Sequence, residues 1–341
     1  MQTYFNPTLA VSVFERHVAV HPTLDHYTGI LSMQGMARLA VETGDPGVLA
    51  RTRDALLPFA RGERQFTCNF ANYLCGGNGA AYLLHHGHLP EAESTVEHYA
   101  KKTVNEAARD AAGLFCHPKR PGNLVWIDVA FAVSPFLVHA GLHFNQESWV
   151  DEAIDQTLGM VNLLRNADNG LVHQAISFLE PGVISQDHWS RGNGWAALAL
   201  AELADALSAD HPRRAEVLQA LHDLLAAALP FQDEEEGLWH HEMTLPGSFI
   251  ETSGSGLLLF ALGVALSQGW DHPGARNALE RGLQGYPLYI EADGSVRNTC
   301  VGCLHPGDGS ILAYLTKYPR RNDVHAFGPI ILLCAILERL R

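Results

Sequence analysis

The residues best equipped for chemistry in this chain stand in two short phrases. In Val125-Trp126-Ile127-Asp128-Val129-Ala130-Phe131 a single acid is set among apolar and aromatic neighbours. Burial disfavours a carboxylate and raises its pKa, which suits a general acid that must keep its proton near neutrality. An Asp that opens a helix can equally act as an N-cap, where the helix dipole would lower its pKa instead. In Trp189-Ser190-Arg191-Gly192-Asn193-Gly194-Trp195, two indoles, a guanidinium and two glycines crowd together. Indole faces stack on sugar rings, a guanidinium binds a carboxylate through paired hydrogen bonds, and glycine permits close approach. A core Trp pair with a structural Arg is the plainer account, though it leaves the glycines unexplained.

Two histidines, His117 and His173, each close a recurring phrase and would hydrogen-bond substrate hydroxyls or a carboxylate if those phrases share one rim; otherwise they are structural or solvated. Cys300-Val301-Gly302-Cys303-Leu304-His305 offers three soft metal ligands, with Cys68, Cys75 and Cys116 elsewhere. Zinc sites usually need two well-spaced pairs, and only this one has the usual separation. Buried free thiols are the simpler reading. The expectation is no metal, no cofactor, and activity that survives a chelator. Glu251-Thr252-Ser253-Gly254-Ser255-Gly256 reads as a capped helix start and lacks the glycine order of a phosphate loop.

The elements that must position these residues follow from a repeat. A Gly, an apolar or aromatic residue and often a His recur at Gly113, Gly170 and Gly237, and more weakly at Gly294, with spacings of 57, 67 and 57 residues. Such a period fits two helices and their connections, and about six units fill the chain. Ala/Leu-rich stretches with helical spacing lie between, as in Trp195 to Leu207, Arg214 to Leu229 and Leu257 to Leu266. Polar, functional-looking residues open a helix at Asp25-His26-Tyr27, Asn72 to Gly79, Trp126-Ile127-Asp128, Trp189-Ser190-Arg191, Glu251-Thr252-Ser253 and Asp323-Val324-His325. The predicted fold is all-α, a closed six-hairpin (α/α)6 barrel with very short strands in the turns, spanning residues 1–341 as one domain. In a closed ring the six starts converge, so that Asp128, Trp189 and Arg191 face one cavity. An open solenoid, whose common periods are shorter, would hold them apart.

With 47% hydrophobic and 18% charged residues the composition is that of an ordinary globular protein. The net charge of −14, without a run of Lys or Arg, argues against nucleic acid as a partner. It also repels acidic ligands, so a carboxylate site would need its own positive group. The first twenty residues show no basic start followed by an apolar stretch, and no apolar run reaches membrane-spanning length. A cytoplasmic location with reduced cysteines, and no membrane partner, is the resulting expectation.

Several stretches, taken in order, resemble the unsaturated glucuronyl and rhamnogalacturonyl hydrolases of glycoside hydrolase families 88 and 105, the latter more closely. They are Tyr27 to Asp45, His117 to Leu137, Trp189 to Trp195, Glu251 to Ser255, and Asp308 to Pro329. The resemblance implies the same six-hairpin barrel. It also implies hydration of the C4–C5 double bond of an unsaturated uronate at the end of a lyase-generated acidic oligosaccharide, the proposed small-molecule partner. Protonation at C4 creates an oxocarbenium-like C5, water adds, and the hemiketal opens to release the remaining sugar. By resemblance Asp128 is the acid and base, with Trp126, His117, His173, Trp189, Arg191 and Trp195 lining the sugar site. The sequence departs from the family where a second Asp is normal on the preceding inner helix; it offers Asn72, which fits the spacing best, and Asn78. An amide hydrogen-bonds but carries no charge. A sugar epimerase on a similar barrel, or a non-catalytic oligosaccharide-binding relative, are the competing functions.

Overall fold

The computed structural model describes residues 4–64, 70–116, 124–303 and 308–341. In chain order the helices are α1 (Pro7–Val20), α2 (Tyr27–Thr43), α3 (Pro46–Ala60), α4 (Gly77–His85), α5 (Glu93–Glu106), α6 (Asp128–Phe144) and α7 (Glu147–Leu164). They continue as α8 (Ser190–Ala206), α9 (Arg214–Ala228), α10 (Thr252–Ser267), α11 (Ala275–Gly285), α12 (Ile311–Leu315) and α13 (Phe327–Arg339). Two-residue strands β1 (Thr299–Cys300) and β2 (Pro319–Arg320) pair antiparallel between α11 and α13.

Burial sorts these helices into two shells. In α10 every residue from Thr252 to Ala265 is buried, and α8 is buried from Ser190 to Ala204. A helix apolar all round must be enclosed all round. In α9, by contrast, the buried residues are Val217, Leu221, Leu224, Leu225 and Ala228, a single stripe with solvent on the other side. The enclosed helices α2, α4, α6, α8, α10 and α13 each pack on the next, and α13 returns to pack on α2, which closes the ring. Glycines let them approach: a Cβ at Gly254 would lie 2.4 Å from the Ser190 backbone, and one at Gly328 2.5 Å from the Leu31 side chain.

The repeated glycine phrase is the turn that feeds this ring. Gly113, Gly170, Gly237 and Gly294 all have positive φ, between 69° and 89°, a region glycine enters without steric cost. Each turn is flanked by one antiparallel bridge, Arg109 with Phe115, Arg165 with Val172, Gln232 with Trp239 and Ile290 with Val296. The expected short strands are therefore single bridges, and each returns the chain from an outer helix toward the next inner start. All six predicted starts fall at or just before an inner helix.

The two ends of the ring differ. Where α2, α8 and α13 end, Arg38 is buried and ion-paired to Glu202 and Asp205, and Asp205 also meets Arg339. The helix starts gather at the opposite end. No helix among the described residues is long and apolar enough to cross a membrane.

Candidate active site

Asp128 is the first residue of α6, and the N-cap position belongs to Ile127 without a side-chain cap. The carboxylate is enclosed yet keeps some access to solvent. Its Oδ2 accepts from Gln174 Nε2 at 3.1 Å, and Gln174 is itself fixed by Tyr314, whose hydroxyl donates to Gln174 Oε1 at 2.9 Å. Burial pushes the Asp128 carboxyl up to about 6, against the Gln174 hydrogen bond and the Arg191 charge, with Asp187 adding a small upward push. Of the two roles open to this acid from sequence, burial outweighs capping.

Glu251, at the start of α10, is the N-cap that Asp128 is not. It accepts from Ser253 N at 3.0 Å, Gly254 N at 2.6 Å and Cys300 N at 3.0 Å. Asp187 is equally committed: Gln174 N reaches both its oxygens at 3.1 Å, and Ser185 Oγ and Trp189 N also donate to it. Both carboxylates serve as backbone fasteners.

Arg191 lies one residue into α8 with its guanidinium over the Trp189 ring, 4.3 Å from the centroid. Nη1 donates to Ser253 Oγ at 2.9 Å and to Cys300 O at 2.8 Å, and Nη2 to Val301 O at 3.0 Å. Its Nε is buried without a hydrogen-bond partner among the described residues. With five N–H groups and three spent, Arg191 keeps donors in hand. Glu251 Oε1 is 3.8 Å away, beyond hydrogen-bond distance.

Sequence reasoning expected the indoles to present flat faces to a sugar, and the structure corrects this for two of them. Trp195 is stacked on Phe131, with centroids 4.4 Å apart, and Trp189 lies between Arg191 and Tyr314, so both rings are buried. Their Nε1 atoms have no partner among the described residues. Trp126 keeps an accessible part, beside Phe178. His173 is half-buried; its Nδ1 pairs with Asp187 O at 2.7 Å and its ring lies against His188. His117 lies outside the described residues.

The two asparagines of the departure from the family pattern brace α6. Pro135 lacks the N–H that would pair with Phe131 O; Asn78 Nδ2 supplies a donor to that carbonyl at 3.1 Å, and Asn72 Nδ2 donates to Ala132 O at 2.8 Å. Asn72 thus clamps the backbone one turn beyond Asp128. Its Oδ1 is buried and unpaired among the described residues.

Gln174 and Tyr314, which sequence reasoning passed over, and two of the predicted helix starts complete the group. Gln174 stands beside the phrase-closing His173, and Tyr314 lies within a stretch noticed only as family-like. Across the closure, Tyr27 hydrogen-bonds His325 Nε2, and His325 Nδ1 meets Asp323 Oδ1 at 2.5 Å. Burial, then the Arg191 charge, lowers the His325 pKa to about 4. It is therefore neutral near pH 7, with Nδ1–H donating to Asp323 and Nε2 accepting from the Tyr27 hydroxyl. Asp128, Trp189 and Arg191 are thus gathered at one end of the ring, with Ala175, Trp189, Cys300, Cys303 and Tyr314 forming a shared apolar cluster against Trp126.

This geometry has relatives. The family model for Glycosyl Hydrolase Family 88 matches residues 9–341. The chain is 27% identical over 173 residues to the unsaturated rhamnogalacturonyl hydrolase YesR of Bacillus subtilis (strain 168), covering 49% of this chain and 50% of that one. It is 29% identical over 154 residues to the unsaturated 3S-rhamnoglycuronyl hydrolase of Formosa agariphila, covering 42% and 41%. The matched stretches thus span half or less of the curated relatives' length. The fold superposes on a family 105 glycoside hydrolase of C. acetobutylicum ATCC 824 with a TM-score of 0.83 at 20% identity, covering 96% of this chain and 98% of that one. A match running through nearly every hairpin of the ring places this chain in glycosyl hydrolase family 88.

Proposed function

We propose that the protein hydrates the C4–C5 double bond of an unsaturated uronate at the non-reducing end of a short acidic oligosaccharide and so releases it. The observation that carries this reading is the pairing of a protonatable acid with an unfinished guanidinium. Asp128 is pushed up to about 6, so a useful fraction holds a proton near neutrality. The unpaired Nε and the spare Nη2 hydrogen of Arg191 suit the two oxygens of a uronate carboxylate. They supply the local attraction that a net charge of −14 denies.

In this reading Arg191 holds the carboxylate and Gln174 aims the Asp128 carboxyl. Asp128 protonates C4, then takes a proton from the water that adds at C5. The hemiketal so formed opens and frees the remaining sugar. The two relatives, an unsaturated rhamnogalacturonyl hydrolase and an unsaturated 3S-rhamnoglycuronyl hydrolase, support the substrate class. A cytoplasmic setting, in which imported lyase products are trimmed, is part of the same proposal.

The test is incubation with unsaturated uronyl disaccharides of different linkage while following the double bond's ultraviolet absorbance. Wild type should bleach at least one of them, and Asp128→Asn should be on the order of 100- to 10,000-fold slower with affinity largely kept. An unchanged chromophore with an isomerised sugar would favour an epimerase. Binding without turnover would favour a non-catalytic relative.

A further inference from the structure

The fold adds a third donor to the lone Cys300/Cys303 pair, and it comes from a segment that sequence spacing could not connect to it. His241 lies in the turn before α10, and its ring nitrogen and the two sulfurs all lie within 4.8 Å of one another, buried. We propose that His241, Cys300 and Cys303 form a binding site for a thiophilic divalent cation, zinc foremost, which braces the loop that holds Arg191. It departs from the expectation from sequence of no metal and of buried free thiols at these two cysteines.

Three features support it. The sulfurs are 3.7 Å apart, far beyond a disulfide bond of about 2 Å and close to the edge of about 3.8 Å that two Zn–S bonds of about 2.3 Å make at a tetrahedral centre. The imidazole is oriented as metal-bound imidazoles usually are. His241 Nε2 pairs with the backbone carbonyl of Tyr314 at 3.1 Å, and the ring also meets the Cys300 thiol. A carbonyl can only accept, so the proton sits on Nε2 and Nδ1 presents a lone pair. A cavity of about 530 Å³ lined by His241, Leu245 to Phe249 and Leu315 also reaches the histidine.

Two thiolates and an imidazole favour zinc over harder cations. Three protein ligands leave the fourth position for water or a small ligand. Binding would exchange the thiol bond from Cys300 Sγ to Val301 O, at 2.8 Å, for a metal–sulfur bond. It would also release the two thiol protons. The carbonyls of Cys300 and Val301 are those that hold Arg191, so an ion here would stiffen the arginine's seat without touching substrate.

The experiment uses the full chain, reduced and stripped of metal by a chelator, and titrates it with Co2+ alone. A thiolate-to-cobalt charge-transfer band should grow to one equivalent and be bleached by Zn2+. Cys300→Ser and Cys303→Ser, each checked for fold by circular dichroism, should abolish the band. His241→Ala should weaken binding at least about tenfold, and Cys334→Ser should leave the band intact. Should the serine variants not fold, the stoichiometry and zinc bleaching of wild type still decide. No band in wild type, a band that survives Cys300→Ser, or loss of two hydrogens to a Cys300–Cys303 disulfide without metal uptake would each overturn the proposal.

Discussion

Two arginines are buried to the same depth in this barrel, Arg38 and Arg191, each 1% exposed, and the protein treats them in opposite ways. Arg38 is completed by its own chain. Nε and Nη2 each donate to an oxygen of Glu202 at 2.7 Å, Nη1 to Asp205 at 2.9 Å. Burial works to raise the Glu202 carboxyl, but the Arg38 charge overcomes it and holds the group down at about 2. Arg191 has only neutral partners within hydrogen-bond distance, and its neighbour Asp128 is pushed up rather than held down. A buried charge hydrogen-bonded to its counter-charge is architecture; Arg191, whose nearest acid, Glu251, stands at 3.8 Å and spends its oxygens on backbone N–H groups, keeps donors for a ligand.

Removing Arg38 should have the largest effect, and on the fold alone. Arg38→Ala leaves Glu202 as a buried acid without its guanidinium, Asp205 keeping Arg339, so the unfolding free energy in denaturant should fall by about 3–5 kcal/mol while KM of the folded fraction stays put. A large change in KM would erase the distinction between the two ends. Arg191→Lys should do the reverse, keeping the denaturation midpoint near wild type and raising KM about tenfold or more, because lysine keeps the charge and loses the fork. Equal losses of stability from both arginines would mean that Arg191 is structural too.

The raised Asp128 carboxyl predicts a pH effect of intermediate size. Because the folded Asp128 pKa is raised to about 6, its acid form is full below that value and is lost as pH rises through it. The kcat/KM profile should therefore descend about tenfold per pH unit above that point, and a profile flat to pH 8 would place the proton elsewhere. Smallest should be Asn72→Asp. Its amide feeds Ala132 O, and a buried carboxyl there would stay protonated to keep that bond, so turnover should change by less than about tenfold. A large gain would show that a second charge is wanted beside Asp128.

The ring was legible from residue types that mark chain direction: glycines at the turns and polar groups at the inner starts, both local signals. Asp128 and Arg191 were legible because an acid among apolar residues and an arginine among glycines are locally costly. The rest depended on distance along the chain. Gln174 orients Asp128 from 46 residues away, and Tyr314 fixes Gln174 from 140. Nothing near Asn72 announces that it clamps α6, and the indoles of Trp189 and Trp195 read the same in sequence whether they face a sugar or the wall. His241 could not be joined to Cys300 and Cys303 without the fold.

Closure of the ring by α13 against α2 has a consequence for biosynthesis. Tyr27 and His325, which meet across that seam, are 298 residues apart. At a synthesis rate of about 5–20 residues per second, α2 waits on the order of 15–60 s for its last neighbour. Through that interval the nascent chain holds an open arc whose first helix has a bare apolar flank. Hairpins can form as they leave the ribosome, but the seam cannot. This chain should therefore depend on a holding chaperone late in translation, and its substrate site should come into being in a single step when the final helix seats.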